Sequence, residues 1–113
     1  MKISVVLTDL STNYVDSVDI IDPDNRKCFS YIDNQEFNCK MMVFDDGICL
    51  YRANNEYSLK LNLRKNGYAL IKSVEGEIKL DTKVVDFIQN DDILVMHYLI
   101  DSVERKIEII YRS

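Results

Sequence analysis

The fold is decided by residues 37–85, FNCKMMVFDDGICLYRANNEYSLKLNLRKNGYALIKSVEGEIKLDTKVV. All three glycines of the chain lie here, in Asp46-Gly47, Asn66-Gly67 and Glu75-Gly76, and Asn54-Asn55 marks the one remaining gap. Glycine and asparagine tolerate the positive φ that tight hairpin turns require. The segments between these turns predict strands at Phe37–Phe44, Ile48–Ala53, Tyr57–Leu63, Tyr68–Val74 and Ile78–Val85. Because tight turns join only antiparallel neighbours, the stretch predicts an up-and-down meander.

The flanking sequence continues the β pattern in both directions. Further strands are predicted around Ile3–Leu7 and at Tyr14–Ile21, Lys27–Ile32, Ile93–Ile100 and Lys106–Arg112. No segment carries a helical apolar stripe, and turn signals recur at the spacing typical of a sandwich or barrel. The chain is therefore expected to be one all-β domain, residues 1–113, whose antiparallel meander closes into a barrel of about eight to ten strands, because closure removes exposed sheet edges.

Alternating side chains predict which residues face the interior. Tyr57, Leu59, Leu61 and Leu63 share one face of their strand; other inward stripes are Ile48, Leu50 and Arg52, and Leu94, Met96, Tyr98 and Ile100. Several strands are apolar on both faces, as at Met41-Met42 and Val84-Val85. A homodimer that covers part of the outer face is therefore one expectation.

Charge and composition limit the function classes. The formal net charge is −5, which disfavours nucleic-acid binding unless basic residues gather on one face. No apolar run approaches the roughly 20 residues of a membrane helix, so we expect no membrane partner and a cytoplasmic location. Cys28, Cys39 and Cys49 are odd in number and widely spaced, which favours reduced thiols. With one histidine, they predict no metal site, and no cofactor motif occurs.

The chain resembles the YwiB-like family of short, uncharacterised bacterial proteins. The residues that carry the resemblance are Lys40–Val43, Asp46-Gly47-Ile48, Leu50, Arg52, Leu59–Leu63, residues 76–84 (GEIKLDTKV), Leu94, Met96 and Tyr98, with Tyr31 at the end of the third strand. They cover about three quarters of the chain. The resemblance implies a lipocalin-like (calycin) barrel in the bacterial cytosol, and it implies no activity.

Few side chains are candidates for a functional site. His97 is the sole candidate general base, but it lies mid-strand among aliphatic residues and is better interpreted as a core or interface histidine. Arg52 ends an inward stripe, where its guanidinium could hold a carboxylate or phosphate; solvent exposure or a buried acid partner is the alternative. Tyr31 and Tyr98 could bring hydroxyls to the same site or pack in the core.

Three functions follow from these observations. The first is a non-enzymatic binding or interaction module, in which Arg52, Tyr31 and Tyr98 line a shallow cup at one end of a mostly filled barrel and hold a small-molecule or anionic ligand. The second is a homodimeric interaction scaffold without a pocket. The third is a small hydrolase that uses His97 or an acid in the barrel mouth.

Overall fold

The computed structural model describes residues 2–7, 13–15, 19–20, 27–32 and 36–112. These residues form strands, turns and short loops, and no helix able to cross a bilayer occurs among them. The strands are β1 (Lys2–Leu7), β2 (Asn13–Val15), β3 (Asp19–Ile20), β4 (Lys27–Ile32), β5 (Asn38–Phe44), β6 (Gly47–Ala53), β7 (Tyr57–Leu63), β8 (Tyr68–Ser73), β9 (Gly76–Gln89), β10 (Ile93–Ile100) and β11 (Val103–Arg112).

All strands belong to one antiparallel sheet in the order β2-β1-β11-β10-β9-β8-β7-β6-β5-β4-β3. Strands β4 to β11 form an eight-stranded meander, and the first strand of the chain pairs with the last along its whole length. The sheet is strongly curled, so the fold is an open barrel. In the part of the chain that the structure describes, β2 and β3 are the outermost strands of this order, and β2 lies near β4 across the seam.

The strand predictions are confirmed for most of the chain. Lys27–Ile32, Tyr57–Leu63 and Ile93–Ile100 have the predicted bounds. The single strand predicted at Tyr14–Ile21 is described in two parts, because β2 pairs with β1, β3 pairs with β4, and residues 16–18 and 21 lie outside the described part of the chain. Asp22-Pro23-Asp24-Asn25, whose proline and flanking Asp and Asn residues predict a turn, lies outside the described residues.

The hairpin turns form at the predicted places in the chain, but the residues that make each turn differ slightly from those predicted. The turn between β5 and β6 is Asp45-Asp46, and Gly47 is the first residue of β6 with φ +154°. A Cβ on Gly47 would lie 2.1 Å from the carbonyl oxygen of Leu63 on β7, so this close approach needs glycine. The chain enters β11 through Asp101-Ser102, both at positive φ, and this turn is shorter than the gap between the predicted strands Ile93–Ile100 and Lys106–Arg112.

Strand β9 is longer than predicted and contains an irregularity. It continues through residues 86–89, and its register against β10 shifts between His97 and Tyr98. Val84 pairs with Tyr98 and Asp86 with His97, so Val85 is an extra residue on β9. Such a bulge increases the local bend, which helps a long strand follow the curled sheet.

The core fills one end of the barrel. This end carries the β5–β6, β7–β8 and β9–β10 connections, and its inward side chains are fully buried: Met41, Val43, Ile48, Leu63, Leu94, Met96, Ile107 and Ile109. Burying each such side chain contributes roughly 1.5–3 kcal/mol to folding. The opposite end carries the β6–β7, β8–β9 and β10–β11 connections, and the packing there is less complete.

Candidate functional site

A cavity of about 390 Å³ opens at this second end of the barrel. We call it the cup. Its walls come from strands β6 to β11 and combine an aliphatic lining with a few polar side chains: Leu50, Arg52, Tyr57, Leu59, Leu61, Ala69, Ile71, Leu80, Tyr98, Ile100, Asp101, Val103 and Arg105. The volume lies at the lower end of the range for small-molecule sites, so the cup fits a small ligand.

Cross-strand register explains the floor of the cup. Leu50, Leu61, Ala69 and Leu80 are successive partners across β6 to β9 and share the inner face. Ala69 is 1% exposed but carries only a methyl group, whereas its neighbours in this row carry isobutyl groups. The small side chain leaves space above the filled core, and the next inward row, which contains Arg52, Leu59 and Ile71, forms the wall.

Arg52 is the most buried charged side chain among the described residues, with 7% of its surface exposed. Its guanidinium carbon lies 3.7 Å from the centroid of the Phe37 ring, which contacts Tyr57 edge-on at 5.6 Å between centroids. This aromatic pair holds the guanidinium by a cation–π contact. Arg52 therefore places a guanidinium at the wall of the cup.

A second arginine, Arg105, lines the cup from β11, whereas Arg52 lies on β6. Arg105 on β11 is the direct partner of Tyr98 on β10, and both side chains line the cup. Burial raises the pKa of the Tyr98 hydroxyl to about 12, although the positive charge of Arg105 partly opposes the shift. The hydroxyl therefore stays protonated and can donate a hydrogen bond into the cup.

The β10–β11 turn forms part of the rim. Its backbone is anchored to the neighbouring strand, because the amide of Asp101 donates to the carbonyl oxygen of Asp81 over 3.1 Å. Asp101 is exposed and is the one acid that lines the cup among the described residues. The lining of the cup, as far as the described residues supply it, therefore contains two arginines and one carboxylate, although the protein is acidic overall.

The structure brings together two of the three predicted ligand-binding residues. Arg52 and Tyr98 both line the cup. Tyr31 is buried on β4 and lines a separate, more open depression with Ser30, Ile32 and Cys39. It pairs with Cys39, which pairs with Arg52, so two strand spacings of about 10 Å in total separate the Tyr31 and Arg52 backbones.

The candidates for catalysis and metal binding lie elsewhere. His97 is half-buried on the outer face, with Nδ1 3.9 Å from Oε1 of Glu104, and it points away from the cup. Cys28 and Cys49 flank Met42 on the outer face, whereas Cys39 is buried on the inner face. Within the described parts of the chain, no group of three or more His, Cys, Asp or Glu side chains could hold a metal ion.

Three polar residues of the cup are not among the predicted site residues, namely Tyr57, Asp101 and Arg105. Alternation places Tyr57 on the inner face without marking it as functional. Arg105 alternates in step with the buried Ile107 and Ile109, so its side chain lies on the same inner face. This alternation indicates an inward Arg105 only when the last strand is extended to begin before Lys106, as β11 does. Asp101 gives no such signal, because it lies in a turn whose position depends on the pairing of β10 with β11.

The fold and the cup define a class, an antiparallel barrel-like protein with a small, mostly aliphatic cavity whose described lining includes two arginines. Comparison of the chain with protein-family models, curated proteins and solved structures found no match. Membership of the YwiB-like family therefore stays a prediction.

Proposed function

We propose that the protein is a non-enzymatic module of the bacterial cytosol that binds a small anionic ligand in the cup. The observation that carries the proposal is the burial of Arg52 in the wall of a cavity that is otherwise mostly aliphatic. A guanidinium binds a carboxylate or phosphate through two parallel N–H donors, so an arginine that lines a cavity suits an anionic ligand. The aliphatic floor favours a ligand with an apolar part next to its charged group.

The side chains of the cup have distinct roles in this proposal. Arg52 binds the anionic group, Arg105 adds positive charge from the opposite wall, and Tyr98 donates a hydroxyl hydrogen bond. Leu59, Ile71 and the floor below them contact the apolar part of the ligand. The version of the hydrolase alternative that uses His97 receives less support, because His97 lies on the other face of the sheet, and Asp101 is the described acid available to the other version.

Binding of octanoate tests the proposal, with octanol and octylamine as neutral and cationic probes of matched length. We expect octanoate to shift backbone amide resonances of cup residues such as Ile100 and to raise the melting temperature in a concentration-dependent manner. Arg52→Ala should weaken octanoate binding at least tenfold, which corresponds to about 1.4 kcal/mol. Octanol should bind the wild type more weakly and should not respond to this substitution.

Arg64→Ala is the matched control. The Arg64 guanidinium also stacks on a phenylalanine, with 4.0 Å to the Phe44 centroid, but it lies at the filled end and pairs with Asp46. Octanoate affinity should therefore be unchanged in Arg64→Ala. Equal affinities of wild type and Arg52→Ala would remove the anion-binding role, and failure of all three probes to bind would remove the cup as a ligand site.

The predicted homodimer also stays a proposal, and one observation favours it. Val74, Ile78 and Val103 are between 53% and 88% exposed and surround the cup end of the barrel. Exposed aliphatic side chains at one end of a barrel suit a surface that contacts another molecule. Sedimentation equilibrium tests this, since a monomer at high protein concentration would argue against self-association through this rim.

A further inference from the structure

The outer face of the sheet carries a row of alternating lysine and apolar or aromatic residues that the cup does not use. Five direct cross-strand partners on β5 to β9 form it: Lys40, Tyr51, Lys60, Leu70 and Lys79. We call this the lysine–tyrosine row. Cross-strand partners point to the same face, and all members except the half-buried Leu70 are exposed. With strands about 4.8 Å apart, the row spans about 19 Å.

Charge is unevenly distributed over this acidic protein. The ion pairs among the described residues do not include Lys40, Lys60 or Lys79, whereas Lys72 on the same face pairs with Glu77 at 3.7 Å. The row therefore presents three ammonium groups on a protein of net charge −5. The net charge alone predicts no nucleic-acid partner, but that expectation holds only if basic residues do not gather on one face. The fold gathers these three lysines.

Aromatic rings lie among the lysines. Tyr51 is 49% exposed and stands between Lys40 and Lys60 as the direct partner of both. Tyr68 lies beside the row, with the Lys79 and Lys60 nitrogens 4.8 Å and 5.9 Å from its ring centroid. Both distances fall within the range of cation–π attraction, so the Tyr68 ring favours one arrangement of the Lys60 and Lys79 side chains. Tyr51, by contrast, keeps about half of its surface accessible.

We propose that the lysine–tyrosine row binds single-stranded nucleic acid, with phosphates on the lysines and a base stacked on Tyr51. Proteins that bind single strands without sequence preference combine a basic track with exposed aromatic rings, because every base has a π-face. Charge complementarity alone would also suit an acidic peptide. The exposed aromatic ring between two lysines favours the nucleic acid, since a peptide carboxylate has no base to stack.

Fluorescence anisotropy with a labelled oligouridylate of about 12 nucleotides tests this proposal. Binding should weaken with salt, with a slope of log K against log salt near −2 for three phosphate contacts. Lys40→Gln combined with Lys60→Gln should weaken binding at least tenfold at about 50 mM salt and reduce this slope. Tyr51→Leu should weaken binding at least fivefold, whereas Tyr51→Phe should retain it because the ring is kept.

The matched control combines Lys65→Gln with Lys106→Gln, which changes the net charge equally but affects the β7–β8 turn and β11 instead of the row. Nearly unchanged affinity in this control supports the proposal. An equal loss in both double variants would overturn it, because the effect would then be one of net charge. Absence of any binding at about 50 mM salt would also overturn it.

A competition experiment separates the alternative partner. Polyglutamate of similar length should fail to displace the oligonucleotide. If polyglutamate displaces it, and Tyr51→Leu binds both polymers like the wild type, the row is a site for acidic proteins and the nucleic-acid proposal is wrong. Because the row and the cup lie on opposite faces of the sheet, the outcome is independent of octanoate binding in the cup.

Discussion

Gly47 offers a sharp test of how the hairpins determine this barrel. In Gly47→Ala, the new methyl group would lie 2.1 Å from the carbonyl oxygen and 3.0 Å from the carbonyl carbon of Leu63, and 3.2 Å from Cα of Arg64. All three atoms are backbone, so no side-chain rotation can relieve the contact. An ordinary carbon–oxygen contact needs about 3.3 Å, so the end of β7 would have to move by about 1 Å.

The expected cost has two parts. An L-residue at the φ of +154° found for Gly47 stores about 1–2 kcal/mol of backbone strain. Moving β7 away from β6 also weakens one or two ladder hydrogen bonds next to the pair Ile48 and Leu63, at about 1 kcal/mol each. Together, these give a loss of about 3 kcal/mol from the free energy of unfolding.

Gly76→Ala is the matched control, because Gly76 also follows a two-residue turn and has a φ of +134°. Apart from Gly76 and its two chain neighbours, however, no atom lies within 4 Å of the place that its new methyl group would occupy. It should lose only the strain, about 1–2 kcal/mol. Urea denaturation followed by far-UV circular dichroism and tyrosine fluorescence measures both, since the chain has seven tyrosines and no tryptophan. For a domain of this size the gap corresponds to about 5–10 °C in melting temperature. Equal losses in the two variants would refute the inference that close approach to Leu63 requires glycine.

Two further predictions concern Tyr98 and the asparagine turns. Because the pKa of Tyr98 is raised to about 12, the native state holds this proton more tightly than the unfolded chain does. The resulting contribution to the free energy of unfolding is on the order of 2 kcal/mol. It is fully present below pH ~10 and is lost between about pH 10 and 12. Urea midpoints of wild type should fall more steeply over that window than those of Tyr98→Phe, and parallel curves would contradict the assignment. Asn90→Ala should lose about 1 kcal/mol, because Oδ1 accepts from the amides of Asp92 and Ile93 at 2.8 Å and 3.0 Å. Asn90→Asp, which keeps an acceptor, should lose less, and an equal loss in both would show that the side-chain hydrogen bonds contribute little.

Local signals in the sequence are sufficient for the meander because turns depend on a few residues. Asn54 and Asn90 show the mechanism: each Oδ1 accepts from the two backbone amides two and three residues later. Two-residue periodicity then assigns Arg52 and Tyr98 to the inner face, since neighbouring side chains on a strand alternate. A turn without glycine, such as Asp101-Ser102, carries no comparable signal, although both residues have positive φ.

Tertiary structure decided the features that depend on several strands at once. The residues Tyr14–Ile21 look like one strand in the sequence, but the two ends of this segment pair with β1 and with β4, on either side of the seam. The placing of Tyr31 away from the cup and of Arg105 in it likewise depends on register across neighbouring strands.

The sequence by itself determined that the chain alternates between short strands and tight turns, and which side chains share a face of each strand. Only the tertiary structure decided that Arg52, Tyr98 and Arg105 meet around one cavity and that Lys40 and Lys60 flank Tyr51 on the outside. The physical reason is that the alternation of side chains along a strand is a local property. The cup and the lysine–tyrosine row depend instead on the register between neighbouring strands and on the curl of the sheet, which involve residues far apart in the sequence.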